Sequence, residues 1–177
     1  MVHWVVIAQR ISIAGLPDIQ VKRLQRLQNT AVRITTKTPK RMSVETARQG
    51  LHWLPVKRRI VYKILLYIFK AQHNLAPTYL SNLIEPYTKP RSLRSESQLL
   101  LKTPRSRLKS AGDRAFCVIG PKLWNYLPIH LKKAESLNEF KTELKTFLFS
   151  LPKDSPILNL WKSAFCFSHL NRIGVMT

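Results

Sequence analysis

The sequence predicts a mainly α protein: an irregular helical domain of five to seven helices, with at most one small β-hairpin near residues 98–109. Three observations carry that expectation. Apolar residues recur at helical period in segments near 18–35, 56–72 and 137–149. Start signals precede them, with Asp18, Pro55 and Ser136 placed where a helix opens. Prolines fall mostly between the periodic segments, as at Pro39, Pro77, Pro86, Pro90 and Pro152.

Residues 1–13 show no clean period and form a poorly ordered or strand-like lead ending in Ile11-Ser12-Ile13. After Gly15-Leu16-Pro17, Asp18 serves as the N-cap of a helix reaching about Thr35, with Val21, Leu24, Leu27, Ala31, Val32 and Ile34 forming its apolar side. The opposite side is basic. At about 100° per residue, Lys22, Arg26 and Arg33 lie within roughly 40° of one another. No acid falls between Asp18 and Glu45 to neutralise them. This stripe is either an ordinary solvated face or a row of phosphate contacts.

Thr38-Pro39-Lys40-Arg41 breaks the chain, and a short helix runs from Ser43 to Gly50, read as a C-cap glycine. The central helix follows from Pro55 and stops at His73-Asn74-Leu75-Ala76-Pro77. Val56, Ile60, Ile64, Ile68, Ala71 and Leu75 share one side, and Val61, Leu65 and Phe69 widen it, leaving Arg59, Lys63 and Lys70 as a narrow charged stripe. A helix apolar around most of its circumference packs on several sides. Lys57, Arg58 and Arg59 crowd its first turn, where the macrodipole disfavours cations; a bound phosphate would relieve that, and so would extension into water.

A short helix near 78–84 leads to a loop bracketed by Pro86 and Pro90. The tract from Lys89 to Arg114 is the most basic loop-like stretch and includes Arg91, Arg94, Arg105 and Arg107. Within it Leu99-Leu100-Leu101 and Arg107-Leu108-Lys109 could pair across Pro104 as a hairpin. Gly112 to Leu127 reads as a turn-rich helix, a break at Gly120-Pro121 and a short helix bearing Trp124, which with Phe116 suits a core anchor better than a base-stacking platform. Ser136 and Glu139 form a capping box. The helix they open buries Phe140, Leu144, Phe147 and Leu148. The domain therefore spans 14–150, and 151–177 is a weakly ordered tail.

The 30 Lys and Arg against 9 Asp and Glu give a formal net charge of +21. Self-repulsion on that scale favours a polyanionic partner, RNA or DNA, bound electrostatically with little sequence preference. A membrane surface and a small-molecule substrate are not expected. With 2 Cys there is no disulfide framework, and Met1–Ala8 has no basic leader, so nuclear or cytoplasmic rather than secreted placement is expected.

Catalytic constellations are absent from the pattern. Glu135, Glu139 and Glu143 line up at helical spacing, but Lys132, Lys133, Lys141 and Lys145 surround them, which suggests surface ion pairing. Cys166 and His169 have knuckle-like spacing without a second pair, so neither a metal nor any other cofactor is expected. No phosphate-binding glycine loop, nucleophile motif or Asp-Asp pair occurs.

Several blocks nevertheless form a familiar series: Leu24–Arg33 (LQRLQNTAVR), Leu51–Ile60 (LHWLPVKRRI), Leu75–Leu80 (LAPTYL), Gly112–Phe116 (GDRAF), Pro121–Pro128 (PKLWNYLP) and Phe140–Lys145 (FKTELK). In order and spacing, from about Gly15 to Phe149, the chain resembles the C-terminal region of reverse transcriptase polyproteins of non-LTR retrotransposons, the LINE elements of the jockey-like and related groups. In that family the polymerase palm, with its aromatic-x-Asp-Asp box, and the endonuclease lie upstream of this region. The box does not occur here, so the resemblance implies a helical module that grips element RNA or target DNA and no catalysis. The alternative is a relic reading frame of a truncated insertion with no role of its own. The candidate nucleic-acid-binding residues are Lys22, Arg26, Arg33, Lys57, Arg58, Arg59, Arg91, Arg94, Arg105 and Arg107; no catalytic residue is assigned.

Overall fold

A helix that is apolar around most of its circumference needs partners on several sides, and α3 (Val56–Gln72) has them: Ile60, Val61, Ile64, Leu65, Leu66, Ile68, Phe69 and Ala71 are all buried. The computed structural model describes residues 18–88, 98–106, 115–152, 154–158 and 160. The helices around α3 are α1 (Asp18–Thr36), α2 (Val44–Gly50), α4 (Thr78–Ser81), α5 (Phe116–Asn125), α6 (Ile129–Lys132) and α7 (Leu137–Ser150). The protein is mainly helical, and α1, α4, α5 and α7 each pack against α3.

Helix α7 opens on the expected capping box: the Glu139 N–H donates to Ser136 Oγ (3.1 Å), and the Ser136 N–H donates back to the Glu139 carboxylate (3.4 Å). It runs antiparallel to α3. Phe69, near the end of α3, stacks on Phe140, near the start of α7, with ring centroids 4.2 Å apart, while Arg58 at the other end reaches the carbonyls of Phe149 and Leu151. Trp124 of α5 completes the aromatic centre, tilted against Phe140 at 6.0 Å, and its indole N–H donates to Leu99 O. Trp124 and Phe116 are thus core anchors, as their context predicts.

Four local expectations are corrected. Gly120-Pro121 does not break the chain: α5 continues through it with Pro121 inside. Pro121 removes one helical N–H, but it is buried with Leu123 and Trp124. Gly120 lets α5 approach α3, since a Cβ there would sit 3.1 Å from Ile68 Cδ1. Second, Gly50 is not the left-handed residue after α2; His52 is, at φ 51°. The Trp53 N–H donates to Arg48 O (3.0 Å) and the His52 N–H to Gln49 O (2.8 Å), closing a Schellman-like turn.

Third, Leu99–Leu101 pairs upstream: Tyr87 N–H donates to Leu100 O and Lys102 N–H to Glu85 O around an antiparallel Pro86–Leu101 bridge, and the other edge of Leu101 is taken by the Asn125 side chain, which accepts from its N–H and donates to its carbonyl. The Arg107–Lys109 half of the expected hairpin lies outside the described residues, as do the 1–13 lead and most of the tail. Ile157 and Leu158 are nonetheless buried, so the core reaches past 150. Fourth, α1 buries only Val21 and Val32. These are three helical turns apart and define a seam one residue wide. Leu27 and Ile34 stay 68% and 73% exposed, because α1 packs flatly on α2 and α3 and nothing described covers its outer side.

Candidate nucleic-acid interface

Seven of the ten cations singled out by sequence are among the described residues, and those seven do not form one surface. Arg33 is turned into the chain reversal after α1, where its guanidinium donates to Pro39 O (2.6 Å) and Met42 O (3.2 Å). Arg58 donates to Phe149 O (3.1 Å) and Leu151 O (2.6 Å), neutralising the carbonyls that the end of α7 leaves open. Burial first, and the neighbouring Arg48 charge second, lower its pKa, with Glu45 opposing. Lys57 lies 3.2 Å from Asp18.

The N-terminus of α3 is also occupied. Gln25 of α1 accepts from the Val56 N–H (2.9 Å), and its amide donates to Gln28 and Asn29, while Gln28 donates to Leu54 O (2.8 Å). In the first turn of α3, Gln25 thus takes the first N–H, Asp18 lies beside Lys57, and Arg58 turns toward α7. Lys22, Arg26, Arg59 and Arg105 are exposed. Arg91, Arg94 and Arg107 lie outside the described residues.

A set that shares only Arg59 with those ten converges. Because α3 and α7 are antiparallel neighbours, residues one turn apart on each helix bring Arg59 and Lys63 alongside Lys145 and Lys141. They line two adjoining clefts of about 610 and 370 Å³ that share His52, Tyr62 and Lys145. The α1 side of this groove is Leu27, Gln28 and Ala31, roughly opposite the Lys22–Arg26–Arg33 stripe on the helical wheel. Two parts of α1 that sequence reading separates as core and contact face thus take other places: Leu27 and Ala31 of the apolar side line the groove, and Lys22, Arg26 and Arg33 of the basic stripe do not.

Charge separates this groove from its neighbour. The crevice holding Lys22, Arg48, Lys57 and Arg58 also holds Glu45, and Arg48 lies 3.7 Å from that carboxylate. The groove between α3 and α7 has four cations and no carboxylate in its lining. Its aromatic members are set by packing: burial of the Tyr62 phenol raises its pKa, and His52, held in its left-handed turn, meets Phe149 edge-on at 6.5 Å. That turn delivers Trp53 to the groove 38% exposed, whereas Trp124 in the core is 1% exposed.

The expected ion pairs around α7 resolve differently. Glu139 is spent on the capping box and on the Glu135 N–H. Lys132 is buried, and its ammonium donates to Gln98 O and Asn125 O, both 3.3 Å, its pKa lowered by burial. Sequence reading misses the groove because Lys141 and Lys145 sit near glutamates in sequence; the usable signal is the i, i+4 repeat of cations on both helices.

Among the described residues no three of His, Cys, Asp or Glu are grouped to hold a metal ion, and no helix is long and apolar enough to cross a membrane. No family model, curated protein or solved structure matches the chain.

Proposed function

We propose that this chain is a non-catalytic, basic nucleic-acid-binding module, corresponding to the region downstream of the polymerase core in a retrotransposon RNA-directed DNA polymerase. The observation that carries the binding function is the groove between α3 and α7, where Arg59, Lys63, Lys141 and Lys145 meet without a carboxylate in the lining. Cations gathered this way release the counterions of a polyanion, which is the source of sequence-independent affinity. The formal charge of +21 acts in the same direction over longer range. The retrotransposon assignment rests on the ordered sequence blocks, several of which supply the fold's key residues: Trp53 and Arg59 in one, Trp124 in another, Phe140, Lys141 and Lys145 in a third.

The test is a salt titration of binding by the purified, folded chain to labelled RNA and DNA. A log–log plot falling linearly by several units is expected, with little difference between sequences. A flat plot, or binding only by unfolded chain, would refute the reading and leave a relic reading frame as the description of the chain.

A further inference from the structure

Resting on the nucleic-acid reading above, we infer that the groove takes an unpaired strand, with one base stacked on Trp53 and its phosphates on Arg59, Lys63, Lys141 and Lys145. A tryptophan with over a third of its surface in solvent is unusual beside a core that buries Trp124 almost completely. Here it is held by a turn with a backbone cost. His52 adopts φ 51°, a conformation that penalises a non-glycine residue by its Cβ, and the closing hydrogen bond of that turn is the Trp53 N–H itself. Trp53 therefore lines a cleft whose wall also includes Tyr62, Arg59, Lys63 and Lys145.

The chemistry selects a single strand over a duplex. In a duplex the base faces are already stacked, so an exposed indole gains nothing without prying base steps apart; an unpaired base offers its face freely. The cations repeat at one-turn intervals, about 6 Å along each helix axis; Arg59, Lys63 and Lys145 line one cleft, and Lys141 and Lys145 the adjoining one. Cations spaced this way follow a flexible backbone from one cleft into the next. Every base has a π face, so the site tolerates any sequence, in keeping with electrostatic binding.

The experiment compares a short labelled oligouridylate, the oligothymidylate of equal length and a duplex, bound by the wild type, Trp53→Ala and Trp53→Phe, with circular dichroism establishing that each variant is folded. Both single strands are expected to bind more tightly than the duplex at equal salt. Trp53→Ala should weaken single-strand binding roughly five- to hundredfold with an unchanged salt slope, and Trp53→Phe should restore most of the loss. Equal affinity for single strand and duplex, with Trp53→Ala indistinguishable from wild type while steep salt dependence persists, would overturn the stacked-strand inference and leave the polyanion reading standing. Loss of salt-dependent binding in the wild type would sink both.

Discussion

Arg58 offers the sharpest separation between a contact residue and a structural one, because the two roles predict opposite patterns in two measurements. Its guanidinium spans from the first turn of α3 to Phe149 O at 3.1 Å and Leu151 O at 2.6 Å. A hydrogen bond from a charged donor contributes about 1.5–3 kcal/mol, and the site's partial exposure puts each of these at the low end. Loss of the cation at the negative end of α7 adds about 0.3–1 kcal/mol, and relief of repulsion from Arg48 offsets a few tenths. Arg58→Met, which retains the aliphatic stem, should therefore destabilise the fold by about 3 kcal/mol, or about 6–12 °C in Tm for a chain of this size. Arg58→Lys should fall between, since it keeps the charge but cannot span two carbonyls. The assay is urea unfolding followed by circular dichroism, paired with the salt dependence of nucleic-acid binding in the folded range. The log–log slope should stay at its wild-type value. A normal stability together with a slope reduced by about one unit would refute the structural role and return Arg58 to the phosphate-contact set.

Three further outcomes follow from the same contacts. Gln25→Ala removes the acceptor for the Val56 N–H and should cost about 1 kcal/mol in denaturant unfolding, as loss of a local N-cap does. Phe140→Ala empties the centre of the Phe69 and Trp124 ring cluster; a loss of about 3–5 kcal/mol is expected, read as a large drop in the urea midpoint. Lys132→Met leaves the carbonyls of Gln98 and Asn125 without their donor and should destabilise by about 1–3 kcal/mol near neutrality. Burial holds the Lys132 pKa below 10.5 in the fold, so the unfolded chain binds more protons in that window. The Lys132 contribution to stability thus rises as pH climbs toward 10.5, and that increment should vanish in Lys132→Met.

What sequence reading captures is whatever is decided within a few residues. Ser136 and Glu139 lie three apart, so their capping box is readable, and so is the apolar girdle of α3, which repeats every turn. Asn74, at φ 55°, ends α3 where the His-Asn-Leu-Ala-Pro run places a stop. The destinations of the cations are set by partners far away in the chain. The acceptors for Arg58 lie more than ninety residues downstream, and the acceptor that caps α3 belongs to α1. Charge alone cannot distinguish an arginine that satisfies carbonyls from one that awaits phosphate. The exposed apolar side of α1 is hidden for the same reason: the periodicity of Leu24, Leu27, Ala31 and Ile34 announces a face but not what covers it.

The most direct measurement is the salt slope of single-strand binding for two variants that keep the core intact: Arg59, Lys63, Lys141 and Lys145 all changed to Gln, and Lys22 with Arg26 changed to Gln. At about 0.7 unit per phosphate contact, the groove variant should lose nearly three units of slope, while the α1 variant, altered on the opposite side of its helix, should lose less than one. A groove variant with the wild-type slope, beside an α1 variant that has lost its salt dependence, would contradict the account and move the interface to the outer face of α1.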